Sequence, residues 1–206
     1  MEEFSWFLTF IGRPNAGKSS LISQLTTASP TIGKKPGSTR KIIHYKLAKK
    51  FTAVDVPGWG KIHSRAQSYE DRIKDEIVAF FEENYYRIPA CVLVIDVNSL
   101  IDVSERLSKK NIVPIDQELY FFLKNLNMVP IVALNKIDKI SPKDLEAAQE
   151  YFKKLIEYDS LPAEYQECVI TVSAKRKQNL AQLRDIIRKH LRKADVEEFE
   201  RYVKVR

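Results

Sequence analysis

Two hydrophobic periods alternate along the chain. Short apolar runs ending in turn residues separate longer stretches whose apolar residues recur every three or four positions. Phe4 to Ile11 is apolar and stops at Gly12, which predicts a strand. Lys18 to Thr26 places Leu21, Ile22 and Leu25 on one helical face. Lys41 to Leu47 and Phe51 to Val56 predict two short strands that pair antiparallel. Gln67 to Tyr86 predicts a helix with Ile73, Ile77, Val78, Phe80 and Phe81 inward. Ala90 to Val97 is continuously apolar, the pattern of a strand buried on both faces. Residues 98–114 are polar, with one short helix near Val103 to Ser108. A helix over Asp116 to Asn125, a strand over Val129 to Leu134 and a helix over Pro142 to Ile156 follow. The last strand is Cys168 to Val172. The closing helix, Asn179 to Leu191, aligns Leu180, Leu183, Ile186, Ile187 and Leu191.

Strands separated by helices imply crossover connections. The predicted class is α/β in three layers, a six-stranded, mostly parallel sheet with one antiparallel strand and helices on both faces. One domain is expected over residues 1–193. Residues 194–206 are expected to be a basic tail or an extension of the last helix.

Composition narrows the class. Of 206 residues, 44% are hydrophobic and 30% charged, which suits a globular chain with a buried core. The longest apolar runs fall far short of the roughly 20 residues of a membrane-spanning helix. The start, MEEFSWF, lacks the basic region of a signal peptide. Two cysteines, Cys91 and Cys168, are too few for a disulfide framework or a zinc site. A cytoplasmic monomer is expected. His44, His63 and His190 lack metal-ligand spacing.

Charge is uneven. Lysine and arginine number 34 against 27 acids. From Lys175 to Arg206, 11 bases face 5 acids. A second basic cluster, Lys34, Lys35, Arg40, Lys41, Lys46, Lys49 and Lys50, contains no acid. Such concentration points to a polyanionic partner.

Four motifs carry the chemistry. Gly12-Arg13-Pro14-Asn15-Ala16-Gly17-Lys18-Ser19 fits GxxxxGK[ST] between a predicted strand and helix. Its backbone N–H groups can wrap a β-phosphate, Lys18 can reach the β and γ phosphates, and Ser19 can ligate Mg²⁺. Asp55-Val56-Pro57-Gly58 closes a predicted strand. Its carboxylate can hold Mg²⁺ through water, and the Gly58 N–H can sense a γ-phosphate. Asn135-Lys136-Ile137-Asp138 follows the strand ending at Leu134. Asp138 can accept from guanine N1–H and the 2-amino group, a pair of donors adenine lacks, while Asn135 braces the loop and Lys136 packs on the base. Ser173-Ala174-Lys175 follows the last strand, where the Ala174 N–H can bind guanine O6. All four fall at the carboxyl ends of predicted strands, where open α/β sheets bind ligands.

In this order the motifs resemble the GTPase superfamily of P-loop proteins, over Phe4 to about Leu191. Gly33-Lys34-Lys35-Pro36-Gly37-Ser38-Thr39-Arg40 and the later Asp55-Val56-Pro57-Gly58-Trp59-Gly60 look like the EngB branch. That resemblance implies a phosphate-binding set of residues 12–20, including Ser20, with Gly37, Ser38, Thr39 and 55–58. Thr39 would join Ser19 and Asp55 around Mg²⁺, and Lys18, Thr39 and Gly58 would serve hydrolysis. It also implies GTP/GDP as ligand and assembly of the large ribosomal subunit as the role, with ribosomal RNA reached through basic surfaces. The longer 98–114 stretch departs from the bacterial pattern and suggests an archaeal or eukaryotic type.

Ras-like GTPases carry a water-orienting glutamine after DxxG; here Trp59 stands there, so slow intrinsic hydrolysis is expected. In loops of the GxPNxGKS type the asparagine, here Asn15, can help hold K⁺. Lys177, Arg184, Arg188, Lys189, Arg192 and Lys193 are expected to form a basic face on the last helix suited to RNA. A GTP-dependent binding switch for another RNA, an acidic protein or a membrane surface is the alternative role.

Overall fold

The computed structural model describes residues 4–29, 41–60 and 67–206, and of 67–69 the backbone alone. Among these, six strands form one sheet in the order β2-β3-β1-β4-β5-β6. The strands are β1 Trp6–Ile11, β2 Ile43–Ala48, β3 Phe51–Asp55, β4 Ala90–Asp96, β5 Ile131–Asn135 and β6 Val169–Val172. β2 runs antiparallel to β3, and every other neighbouring pair is parallel. The predicted α/β class is the observed one.

The helices are α1 Lys18–Leu25, α2 Gln67–Asn84, α3 Leu100–Ser108, α4 Ile115–Asn125, α5 Pro142–Leu155, α6 Ala163–Gln166, α7 Leu180–Lys193 and α8 Phe199–Tyr202. They cover both faces of the sheet because the central strands are apolar on both. Along β1, Phe7 and Ile11 join the core shared with α2, α4 and α5, while Leu8 and Phe10 join the core shared with α1 and α7. Parallel strands bring the loops after β1, β3, β4, β5 and β6 to one edge of the sheet, and every described motif sits there.

The structure revises three expectations. α3 begins at Leu100, earlier than the polar stretch suggested, because Leu100 and Ser104 are buried beneath it. α6 and α8 are helices of one turn, too short to show a period. The tail is neither basic, with four acids against three bases, nor an extension of α7, which ends at Lys193. The chain turns back so that Val196, Phe199 and Val203 fill the core on the α1 side. Lys204 N–H then donates to Leu25 O at 2.9 Å and Arg206 N–H to Gln24 O at 3.0 Å.

Candidate functional site

The phosphate loop spans β1 to α1. Gly17 sits at φ 108°, and a Cβ there would strike the Asn135 side chain. Glycine is thus required twice, for the turn and for close approach. Asn15 also has positive φ, 62°, a conformation asparagine tolerates. Its side chain is exposed.

Lys18 is buried, and its Nζ donates to the loop's own Gly12 O at 3.1 Å and Arg13 O at 3.0 Å. Burial lowers its pKa to about 8, opposed by Asp55 and aided by Lys136. Ser19 Oγ donates to Asp55 Oδ2 at 2.5 Å. Asp55 Oδ1 is buried with no hydrogen-bond partner among the described residues. Burial raises the Asp55 pKa, while the Ser19 hydroxyl and Lys18 pull it down. A buried carboxylate oxygen without a partner, beside a hydroxyl, is a donor set that fits a hard cation such as Mg²⁺.

The Asp55–Gly58 segment lies directly on the loop. Trp59 N–H donates to Gly12 O at 3.2 Å, and a Cβ on Gly58 would clash with Pro14. Trp59 itself is buried, 5.6 Å from the Phe122 ring of α4 and 5.2 Å below the Lys74 ammonium of α2. Its Nε1 has no partner among the described residues. The indole is thus a core residue anchoring this segment between α2 and α4. Gly37, Ser38 and Thr39, with the rest of residues 30–40, lie outside the described residues.

The base end is tied to the phosphate end by one side chain. Asn135 Nδ2 donates to Ala16 O at 2.8 Å, and its Oδ1 accepts from Ala174 N at 3.1 Å. One amide therefore joins the phosphate loop, the loop after β5 and the loop after β6. A guanine O6 at Ala174 would share that N–H with Asn135. Ser173 Oγ donates to Asp138 Oδ1 at 2.5 Å and accepts from Arg176 N at 2.9 Å. The Ser173 hydroxyl is the chief cause holding the Asp138 carboxyl below its usual pKa, with Lys175 and Arg176 adding to it. An ionised Asp138 is an acceptor only, as a pair of ring donors demands. Lys136 is left-handed at φ 70°, and its ammonium lies 2.6 Å from Asp96 Oδ2. Lys175 is exposed.

Sequence reasoning missed two carboxylates. Asp96 ends β4 and fixes Lys136. Asp116, buried at the start of α4, holds Arg13 Nε at 2.9 Å, and Arg13 Nη2 also donates to Ser99 at 3.4 Å. The Arg13 guanidinium therefore braces the phosphate loop from behind, leaving its backbone to face a ligand. An acid after an apolar strand and one in a helix's first turn were the available signals; neither names its partner, 40 positions away for Asp96 and 103 for Asp116.

The fold and the order of these motifs define the class: a P-loop GTPase domain. A family model described as 50S ribosome-binding GTPase matches residues 7–136. Over 201 residues the chain is 33% identical to the "Probable GTP-binding protein EngB" of Methanopyrus kandleri, covering 97% of this chain and 98% of that one. The same-named protein of Pyrococcus abyssi is 38% identical over 182 residues, 87% of this chain and 83% of that one. A crystal structure of a probable GTP-binding protein engB superposes with TM-score 0.79 at 37% identity, over 91% of this chain and 99% of that chain. The chain belongs to the EngB family of GTP-binding proteins and is a GTPase. No helix among the described residues is long and apolar enough to cross a membrane.

Proposed function

We propose that the chain is a GTP-dependent switch in assembly of the large ribosomal subunit, hydrolysing GTP to GDP and phosphate with water as nucleophile. The observation that carries the nucleotide chemistry is the Asn135 bridge, which fixes the base loops to the phosphate loop in one geometry. The matched family's description, a 50S ribosome-binding GTPase, supports the ribosomal partner.

Lys18 exchanges the Gly12 and Arg13 carbonyls for the β and γ phosphates, and backbone N–H groups from Gly12 to Ser20 hold the phosphate oxygens. Asp138 selects guanine. Ser19, Thr39 and, through water, Asp55 would hold Mg²⁺, which would supply neutralisation of the charge developing on the phosphoryl oxygens. Gly58 N–H faces the γ-phosphate. Trp59, at the position of the Ras-type glutamine, has its indole in the core and cannot orient water, so unaided turnover is slow.

Asn15 is a candidate ligand for K⁺ beside the phosphates. Hydrolysis is then faster in K⁺ than in Na⁺ at equal ionic strength, and Asn15→Ala abolishes the difference; equal rates in the two salts remove that role.

The ribosomal role is tested by co-sedimentation with large subunits and their precursors, in GDP and in a non-hydrolysable GTP analogue, alongside turnover. The proposal expects tighter binding with the analogue and turnover stimulated by the particles. Binding without stimulation marks a binding switch with incidental turnover. No binding in either state, with nucleotide affinity intact, overturns the ribosomal role.

A further inference from the structure

The charge pattern of the sequence directs attention to α7, but the structure shows where those cations go. Lys189 pairs with Glu167 at 2.7 Å, Arg184 with Asp185 at 2.7 Å, Arg192 with Glu200 at 3.5 Å and Lys193 with Glu164 at 3.7 Å. Arg188 donates to the carbonyls of Val203 and Glu200, where it holds the returning tail. A phosphate approaching this face meets pairs whose fields largely cancel. The basic face of α7 is largely neutralised by its own Asp185, by Glu164 of α6 and Glu167 just after it, and by Glu200 of α8; the positions of these two short helices the sequence did not reveal.

A different group of cations makes no ion pair among the described residues, and the one carboxylate that Lys175 and Arg176 act on is Asp138. Ser173 and Gln178 pair across a tight turn, with N–H to O distances of 3.2 Å and 3.1 Å, and the tip of that turn presents Lys175, Arg176 and Lys177, all exposed. Ser173 Oγ links this tip to Asp138, and the next residue, Lys139, is also exposed. Arg176 N–H donates to the same Ser173 Oγ, so Asp138 and Arg176 stand at two ends of one short hydrogen-bonded chain, with Lys139 next to Asp138 in sequence. Among the described residues none of Lys139, Lys175, Arg176 and Lys177 has an ion-pair partner. Among the described residues the large exposed apolar side chains, Phe4, Ile43, Tyr85, Tyr86, Ile112 and Val113, all lie elsewhere in the chain.

We infer that the 175–177 turn together with Lys139 is the surface that contacts an RNA phosphate backbone, a proposal that rests on the ribosomal reading above. Adjacent unpaired cations on a rigid turn suit a row of phosphates. Arg176 adds a planar fork matched to phosphate oxygens. A protein partner's interface core characteristically calls for buried aromatic or aliphatic anchors, which this patch lacks. The surface borders the residues assigned to guanine, so RNA contact and nucleotide share the loop after β6.

Two variants test this. Lys139→Gln/Lys177→Asn removes two charges from the surface while sparing Lys175 and Arg176 beside Asp138, with asparagine chosen because residue 177 has φ 57°. Lys189→Gln/Arg192→Gln/Lys193→Gln neutralises α7. Both are measured against protein-free large-subunit ribosomal RNA across a salt series, with GDP affinity and subunit co-sedimentation as companions. The turn variant is expected to bind at least about tenfold more weakly, with a salt slope lower by roughly two, while GDP affinity is retained. The α7 variant is expected to stay within about twofold of wild type. A turn variant that binds like wild type, or a loss confined to the α7 variant, overturns the surface. Wild type that sediments with subunits but ignores their RNA overturns it too and leaves the ribosomal reading standing. Failure to sediment at all overturns both.

Discussion

At the phosphate end, Lys18 and Ser19 direct their hydrogen bonds to Gly12 O, Arg13 O and Asp55. At the guanine end, Asn135 joins Ala16 O to Ala174 N, and Ser173 holds Asp138 in place. Both ends are polar, but they do different work. The groups at the phosphate end are those a triphosphate and Mg²⁺ must take over, so binding rewires them. The groups at the guanine end cross-link three loops and keep doing so when a base arrives. The difference teaches that the base loops are pre-organised scaffold, whereas the phosphate loop holds a cation against the cost of its burial.

The sharpest break in that comparison comes from Lys18→Ala. Loss of the phosphate-facing cation is expected to lower hydrolysis by on the order of a thousandfold and nucleotide affinity with it. Burial moves the Lys18 pKa from 10.5 to about 8, so the folded state disfavours the ammonium. Ligand-free stability should therefore stay level or rise, as thermal unfolding without nucleotide will show. A clear fall would mean that Lys18 is scaffold after all.

Asn135→Ala should behave oppositely. It strips partners from two buried backbone groups, at about 1–3 kcal/mol each. The unfolding midpoint is expected to drop by roughly 2–4 °C per kcal/mol, with or without nucleotide. An unchanged midpoint would remove the cross-link from the account.

The smallest effect is in pH. Between about 8 and 10.5 the unfolded chain holds more protons at Lys18 than the folded one, so this residue makes stability rise with pH across that window. Phosphate restores the ammonium, so binding takes up a proton above about pH 8. Affinity should then fall by at most about tenfold per pH unit. Calorimetry in buffers of different ionisation enthalpy detects the uptake, and Lys18→Ala should abolish it.

Much of this was legible beforehand, for physical reasons. β1 and β4 are buried on both faces, so their apolar runs are continuous and their ends fall at turn residues. The four motifs are local, and locality is what a sequence displays. Arg13 meeting Asp116, Lys136 meeting Asp96, and Glu164, Glu167 and Glu200 facing α7 are long-range or turn-dependent pairings. Helical periodicity revealed the basic face of α7 but not what sits opposite it. The buried indole of Trp59 was equally hidden, because a tryptophan after DxxG reads as a missing glutamine until its packing against Phe122 is seen.

The central claim, a base end already shaped for guanine, is tested most directly by GDP and XDP affinities of wild type and Asp138→Asn. An amide at 138 loses an acceptor for the 2-amino group and gains a donor for the 2-oxo group of xanthine. The account predicts that wild type favours GDP and that the variant reverses the order, with GDP weakened on the order of a hundredfold or more. A variant that keeps its preference for GDP would contradict it.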